Sequence, residues 1–424
     1  MSRLVKSSTT DTMANLTGAL NLSSTGAMVT SWSPYVTDAQ ADLLNTTDDG
    51  ITAPPSGNVI VVDETYYPMI VYSFVDKVLV IVVMPIIFTI GVLGNSAVII
   101  AFFRYLYMRT VTNHYLINLA VADLTFLLFS VPQFWVQYLT TPIIGDYTYL
   151  PPEFCKISIF LTDSAVIASG LIVILVTFER YIATCWPFRF RRFSTKRRTI
   201  WLCALVWFFS LTYKIPSLIF AVKTKNTLIW HVPLENASEG LPQSIEYCEY
   251  CHPRNSVQCV RIRKTLTFDQ LLLLSVIPIT CVLYTLTMIQ LQRSAKSAYV
   301  TVLEGATSNV LKKQVVRMLI VTIVVYIICI TPFRILNLIN IYDHVLPPNL
   351  IWIFVNIARI MIYTNSAVNP FIYNIMSERY RKAFKDIFIF CWPCCPKKRK
   401  MCNNNGSVEI EMKLCRLPSD RRYV

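Results

Sequence analysis

The sequence predicts an all-α membrane protein, a bundle of seven transmembrane helices followed by a short amphipathic eighth helix. Of the 424 residues, 54% are hydrophobic and only 15% are charged, whereas soluble domains carry about 25% charged residues. A bilayer core about 30 Å thick requires about 20 mostly apolar helical residues for each crossing, and the chain contains seven stretches of that kind. A single soluble core is therefore excluded.

The seven apolar stretches alternate with short polar loops. They cover approximately residues 76–103, 112–139, 152–185, 196–221, 265–293, 312–341 and 350–376. An odd number of crossings places the two chain ends on opposite sides of the membrane.

Basic residues assign the two sides. Lys and Arg are concentrated in the loops after the first and third stretches, before the sixth, and in the tail, for example in FRFRRFSTKRR (188–198) and KKRK (397–400). Because short cytoplasmic loops carry such an excess, we expect this side to face the cytoplasm. The net charge of +14 then reflects contact with anionic membrane lipid, and no nucleic-acid partner is expected.

The segment before the first stretch, residues 1–73, is rich in Ser, Thr, Asp and Asn and is predicted to be disordered and extracellular. Asn-x-Ser/Thr sequons predict glycosylation there and in a later exterior loop, at Asn15, Asn21, Asn45 and Asn236. The first residues lack an apolar stretch, so the first span is expected to act as the signal anchor.

The bundle is predicted to cover residues 74–376, and the amphipathic helix with its cysteine cluster residues 377–395. Apolar residues recur there at helical spacing, at Tyr380, Phe384, Ile387, Phe388 and Cys391, which is typical of a helix lying on the membrane surface. Cys391, Cys394 and Cys395 are candidates for palmitoylation. Residues 396–424 are expected to form the cytoplasmic tail.

Four cysteines are predicted to lie on the exterior side: Cys155, Cys248, Cys251 and Cys259. Four cysteines allow three pairings. A metal site would need a fourth ligand at suitable spacing, which the sequence does not offer, so disulfides are favoured and no metal site is predicted.

Polar residues inside the apolar stretches are costly in lipid and indicate function. They include Asn95 in the first stretch, Asp123 in the second, Glu179-Arg180-Tyr181 at the end of the third, Trp207 in the fourth and Asn369-Pro370-x-x-Tyr373 in the seventh. Together and in this order they resemble the rhodopsin-like (class A) family of G-protein-coupled receptors, over about residues 78–395. The overall pattern is similar to invertebrate-type neuropeptide receptors of the thyrotropin-releasing-hormone, neuromedin U and FMRFamide receptor groups.

The resemblance implies a receptor, not an enzyme, in the plasma membrane, with a heterotrimeric G protein and arrestin as cytoplasmic partners. It implies that Arg180 pairs with Glu179 in the inactive state and is then released to the G protein. Pro370 would kink the seventh helix and let Tyr373 swing towards Tyr284. In the sixth stretch, Ile330 stands where the family usually has Trp, so a Trp-based switch is not expected.

The resemblance also implies a sodium site around a mid-membrane carboxylate, formed by Asn95, Asp123, Ser169, Asn365 and Asn369. The alternative is that Asp123 is protonated and only stabilises helix packing. No other cofactor is expected.

For the exterior disulfide, the family pattern favours Cys155 with Cys251. Cys248 and Cys259 remain open as partners and are candidates to pair with each other.

The ligand pocket is expected to contain Thr162, Asp163, Arg334 and Arg359. Thr162 occupies the position at which aminergic receptors hold the ligand ammonium with a carboxylate, so an amine ligand is disfavoured. Buried arginines require an anionic or carbonyl-rich partner, and Asp163 is expected to pair with one of them when the pocket is empty. The long loop over residues 222–264, with its extra cysteines, favours a peptide ligand.

Alternatives from other classes fit less well. A receptor of the same family for a non-peptide ligand remains open. A transporter would usually show an inverted repeat with interrupted helices. An intramembrane enzyme would need clustered catalytic groups, but the chain has only four His, and none are paired at i, i+4 within a span.

Overall fold

The computed structural model describes residues 58–62, 67–188, 190, 194–230, 241–250, 257–297, 306–341, 348–391, 401–402 and 408–409. Seven long helices and a shorter eighth one form the predicted bundle. The predicted glycosylation sites Asn15, Asn21, Asn45 and Asn236 lie outside the described residues, as do Cys251, Cys394 and Cys395.

The helices follow the predicted order. They are α1 (Phe74–Arg104), α2 (Val111–Thr140), α3 (Pro152–Cys185), α4 (Lys196–Phe220), α5 (Val257–Ser297), α6 (Ala306–Ile341), α7 (Pro348–Met376) and α8 (Glu378–Cys391). Within the described part of the chain, six helices, α1 to α6, are long and apolar enough to cross a membrane. The 29 residues of α7 also exceed the length that one crossing requires.

Helices α5 and α6 begin earlier than the apolar pattern predicts, at Val257 rather than about residue 265 and at Ala306 rather than about residue 312. Apolar runs mark only the part of a helix that contacts lipid. The helical backbone hydrogen bonds continue into the polar sequence outside the membrane until a helix-breaking residue ends the helix.

Prolines shape the helices. Pro132 divides α2 into the segments Val111–Ser130 and Pro132–Thr140, and Pro216, Pro278, Pro332 and Pro370 lie inside α4, α5, α6 and α7. Each removes one helical hydrogen bond and allows a kink.

Helix α3 packs against α2, α4, α5 and α6, and α7 packs against α1, α2 and α6. The approach of α1 to α7 depends on glycine: a Cβ atom added to Gly94 would lie 2.9 Å from the Pro370 ring. On the outer surface of the bundle, Leu93, Leu205 and Ile328 are more than half exposed. These side chains would contact lipid.

A small sheet covers one end of the bundle. Strands β2 (Val222–Trp230) and β3 (Ser244–Glu249) form an antiparallel hairpin, and β1 (Asn58–Val62) pairs in parallel with β2. The prediction that residues 1–73 are disordered is therefore wrong for residues 58–62 and 67–73. The run NVIVV at 58–62 is rich in β-branched residues, which favour a strand when a partner strand is available.

The disulfide joins Cys155 at the start of α3 to Cys248 in β3, with Cα atoms 5.7 Å apart. The predicted pairing of Cys155 with Cys251 is therefore wrong, as is that of Cys248 with Cys259. In β3, Cys248 lies opposite Lys223 of β2, and the neighbouring carbonyl of Val222 lies 3.8 Å from the sulfur of Cys155. The register of the hairpin thus places Cys248 above α3. Cys259 is also disulfide-bonded.

We call this side of the bundle the disulfide end and the opposite side, where Arg180 lies, the Arg180 end. At the Arg180 end, α8 contacts α1 and α7. Its residues Tyr380, Phe384 and Ile387 are buried, while Phe388 is half exposed. The predicted amphipathic character of this helix is confirmed.

Candidate functional site

Four buried polar clusters lie along the bundle: one at the Arg180 end, one in the middle and two at the disulfide end. Each includes residues of α3 or of the helices that contact it. The clusters contain most of the predicted site residues.

At the Arg180 end, Arg180 forms an ion pair with its neighbour Glu179. Nε of Arg180 donates to Oε2 of Glu179 and Nη2 donates to Oε1, both at 2.6 Å. The hydroxyl of Ser194 donates to Glu179 at 3.4 Å, and the ring of Tyr181 packs edge-on against Trp186. The guanidinium is therefore held by two charge-assisted hydrogen bonds on its own helix.

Two tyrosines lie deeper at the same end. Tyr373 of α7 and Tyr284 of α5 are both buried, and their hydroxyls lie within electrostatic range of each other. The Tyr284 hydroxyl lies near Thr177 and Arg180. Neither this hydroxyl nor that of Tyr373 has a hydrogen-bond partner of normal geometry among the described residues. Tyr284 therefore lies near the Glu179–Arg180 pair, and Tyr373 lies near Tyr284.

In the middle of the bundle, Asp123 is buried and accepts a hydrogen bond from Nδ2 of Asn369 at 2.9 Å and one from the hydroxyl of Ser366. It borders a cavity of about 20 Å³ that is also lined by Ser169, Asn365 and Ser366. A space of that size holds one water molecule. The oxygens around it could equally hold a small cation.

The predicted polar core is thus largely brought together, with one exception. Asn95 donates to the carbonyls of Gly91 at 2.9 Å and Ser366 at 2.8 Å and is not among the residues that line the cavity. It fastens α1 to α7. Among the described residues, no group of three or more His, Cys, Asp or Glu could hold a metal ion.

At the disulfide end, two carboxylates share one lysine. Nζ of Lys214 in α4 donates to Oδ2 of Asp163 in α3 at 3.0 Å and to Oδ2 of Asp269 in α5 at 2.5 Å. The hydroxyl of Tyr250, two residues after Cys248, donates to the same Oδ2 of Asp163 at 3.0 Å. The expectation that Asp163 pairs with an arginine is therefore wrong, because Asp163 pairs with the ammonium group of Lys214 from the neighbouring helix α4.

Arg334 of α6 lies beside this group. Its Nη1 donates to Oε1 of Gln270 at 3.2 Å, but its Nε and Nη2 have no hydrogen-bond partner in the described part of the chain, although the residue is only 2% exposed. The hydroxyl of Thr162 is also buried without a partner among these residues. Unsatisfied buried donors are costly, so this is a place where a bound group would be stabilised.

Arg359 belongs to a separate cluster at the same end. Its guanidinium lies 5.1 Å from the centre of the Phe134 ring and within electrostatic range of Asp76 in α1 and of Tyr72. Asp76 in turn accepts a hydrogen bond from Asn356 at 3.2 Å. Both arginines therefore lie at the disulfide end, but each lies between a different set of helices.

Several residues of these clusters were not predicted from the sequence as site residues: Asp76, Lys214, Tyr250, Asp269, Gln270 and Ser366. Lys214 and Asp269 carried a usable signal, because each is a charged residue inside an apolar stretch. Tyr250 carried none, since its position depends on which cysteine forms the disulfide.

The known proteins that this chain resembles in sequence are receptors. A family model described as 7 transmembrane receptor (rhodopsin family) matches residues 94–373. Neuromedin-U receptor 2 of Mus musculus is 32% identical over 331 residues, which cover 75% of this chain and 77% of the mouse protein. Neuromedin U receptor homolog nmur-2 of Caenorhabditis elegans is 28% identical over 355 residues, covering 76% of this chain and 84% of the worm protein. Galanin receptor 2b of Danio rerio is 28% identical over 317 residues, 74% of this chain and 75% of the fish protein.

Proposed function

We propose that this chain, which belongs to the rhodopsin family of seven-transmembrane receptors, binds an extracellular peptide and activates a heterotrimeric G protein inside the cell. The observation that carries the proposal is that one helix, α3, contributes to both ends. It bears Asp163 in the buried cluster under the hairpin and the Glu179–Arg180 pair at the opposite end. A displacement of α3 caused by the ligand would therefore also move the Glu179–Arg180 pair, at the end where the G protein would bind.

A peptide ligand is supported by the relatives and by two buried arginines at the disulfide end. The similar proteins are named as receptors for neuromedin U and galanin. At the disulfide end, two arginines, Arg334 and Arg359, are buried, and guanidinium groups bind carbonyl and carboxylate oxygens well. A peptide offers such oxygens along its backbone and at its carboxyl terminus.

The disulfide and the charges support the proposed orientation in the membrane. A disulfide forms and persists in an oxidising compartment, so the Cys155–Cys248 bridge belongs outside the cell. The basic runs at 188–198 and 397–400 then face the cytoplasm, in agreement with the charge bias of membrane proteins. We place the protein in the plasma membrane, with its amino terminus outside and its carboxyl terminus inside.

The test is nucleotide exchange on purified heterotrimeric G proteins added to membranes that contain the full-length chain. Neuromedin U and galanin peptides are the first probes, followed by a neuropeptide library. We expect one peptide class to accelerate exchange in a saturable manner, and matched membranes without the chain to show no response. A chain that is correctly inserted and responds to no member of the library, while responding to a non-peptide ligand, would overturn the peptide assignment.

We also propose that the Asp123 cavity holds a sodium ion that favours the inactive state. The support is its size, about 20 Å³, and the concentration of carboxylate, hydroxyl and amide oxygens around it. Peptide-stimulated exchange should require more peptide in sodium chloride than in N-methylglucamine chloride of equal ionic strength, and Asp123→Asn should abolish that difference. A wild-type receptor that is insensitive to sodium would instead support a protonated Asp123 that only stabilises packing.

The amphipathic helix α8 supports a further membrane attachment. Its apolar face is partly buried on α1 and α7, and the helix ends at Cys391. We propose palmitoylation at Cys391, Cys394 and Cys395, which hydroxylamine-sensitive labelling of the wild type and of the triple Cys→Ser variant would test. Equal labelling of the two proteins would contradict the proposal.

A further inference from the structure

The buried cluster at the disulfide end contains three charged side chains that are almost completely buried. The side chains of Lys214, Asp163 and Asp269 are only 4%, 6% and 4% exposed. Burying a charged group is strongly unfavourable unless it is paired, so each charge in this cluster must be balanced by another. The net charge of the cluster is therefore expected to be close to zero.

The net charge is zero when Arg334 is included. Asp163 and Asp269 contribute two negative charges, Lys214 contributes one positive charge, and Arg334 lies within electrostatic range of both carboxylates. The distribution of hydrogen bonds is uneven, however. Lys214 bonds to both carboxylates, while two N–H donors of Arg334 have no partner among the described residues.

We propose that Lys214 determines the charge selectivity of the ligand pocket, by occupying the space between Asp163 and Asp269 that a cationic group of a ligand would otherwise take. With both carboxylates held by Lys214, Arg334 offers the donors that remain, and they fit a carbonyl or carboxylate oxygen of the peptide. The inference rests on the proposed peptide pocket and adds a residue of α4 that sets its preference.

A purely structural link between helices would fit the cluster less well. Tyr250 of the hairpin segment bonds to the same oxygen of Asp163 that Lys214 holds, so the cluster adjoins the loop that covers the pocket. Two N–H donors of Arg334 have no hydrogen-bond partner among the described residues, and an oxygen of a bound peptide would satisfy them. Both observations place Lys214 at the edge of a binding site.

The test is rescue by an amine. In Lys214→Ala, the two carboxylates should lose their shared cation. The space left should accept n-propylammonium, which reproduces the three carbon atoms and the ammonium group that Ala lacks. We expect n-propylammonium chloride to raise the melting temperature of the purified full-length variant by about 2–4 °C in a saturable manner. It should leave the wild type unchanged, and sodium chloride or sodium propionate at the same ionic strength should have no such effect.

The double variant Lys214→Ala/Asp269→Asn is the matched control. It has the same space but one carboxylate fewer, so its net charge returns to zero and the amine should no longer stabilise it. Equal stabilisation of the single and double variants, or of the wild type, would overturn the proposal, as would a folded Lys214→Ala that does not respond. If Lys214→Ala does not fold, Lys214→Met, which lacks only the ammonium group, is measured with ammonium chloride, and the same outcomes apply.

The experiment separates this inference from the receptor proposal. Amine binding is read from thermal stability and needs no peptide or G protein. Failure of every peptide to activate the receptor would contradict the proposed function, whereas failure of the amine rescue would contradict only the role of Lys214.

Discussion

Replacement of Arg359 by Ala is the most direct test of the ligand pocket. The guanidinium is buried, lies 5.1 Å from the Phe134 ring and is within electrostatic range of Asp76. If a peptide oxygen accepts a hydrogen bond from Arg359, the substitution should weaken peptide potency, while Arg359→Lys should recover only part of it because Lys lacks the planar fork.

The magnitude follows from which contacts change on binding. The contact with Phe134 is present before the ligand arrives, so its energy of about 0.5–2 kcal/mol is common to both states and largely cancels. What the ligand adds is a charge-assisted hydrogen bond of about 1.5–3 kcal/mol. At 1.4 kcal/mol for each factor of ten, the expected loss of potency is about 10- to 150-fold.

The assay is a concentration series of the activating peptide in G-protein nucleotide exchange, with surface levels matched between variants. Arg261→Ala is the control, since Arg261 lies in the first turns of α5 at the same end but is exposed; its potency should stay within a factor of about two of the wild type, as expected for a surface charge. A potency for Arg359→Ala that matches the wild type would remove Arg359 from the binding site.

Three other substitutions test the coupling end, the disulfide and the packing. Arg180→Ala should abolish G-protein activation while peptide binding is retained, and full signalling would contradict the assigned role of the Glu179–Arg180 pair. Cys248→Ser should leave Cys155 with a free thiol in unreduced peptide maps, whereas Cys251→Ser should not; the opposite result would refute the pairing. Gly94→Val should sharply lower surface expression, because even a Cβ atom would lie 2.9 Å from the Pro370 ring and Val adds two methyl groups. Gly94→Ala should have a milder effect. Normal surface expression of Gly94→Val would show that α1 and α7 can separate.

Features that depend on short stretches of chain could be predicted from the sequence. The helical spans follow from the length and hydrophobicity that lipid imposes on any crossing, and the amphipathic face of α8 follows from helical spacing at Tyr380, Phe384 and Ile387. The Glu179–Arg180 pair is local as well, since the two residues are neighbours on one helix. In each case the interacting groups lie within a few turns of each other.

The partner of a buried charge could not be predicted in this way. Asp163 was expected to meet an arginine, but it meets Lys214 and Tyr250, which come from α4 and from the loop after β3. Only the crossing of α3, α4 and α5 determines which charged side chains share one buried volume. The sequence marks Lys214 and Asp269 as costly residues in lipid without saying that they compensate each other.

The disulfide shows the same division. The sequence by itself predicted that these cysteines would form disulfides, because their number is even and the charge bias predicts that they lie on the exterior, oxidising side. The tertiary structure decided that Cys248 is the partner of Cys155, because the register of β2 with β3 places that residue above α3. The register depends on pairing between strands that are distant in the sequence and on their packing against the bundle. Neither contact can be read from the order of the residues alone.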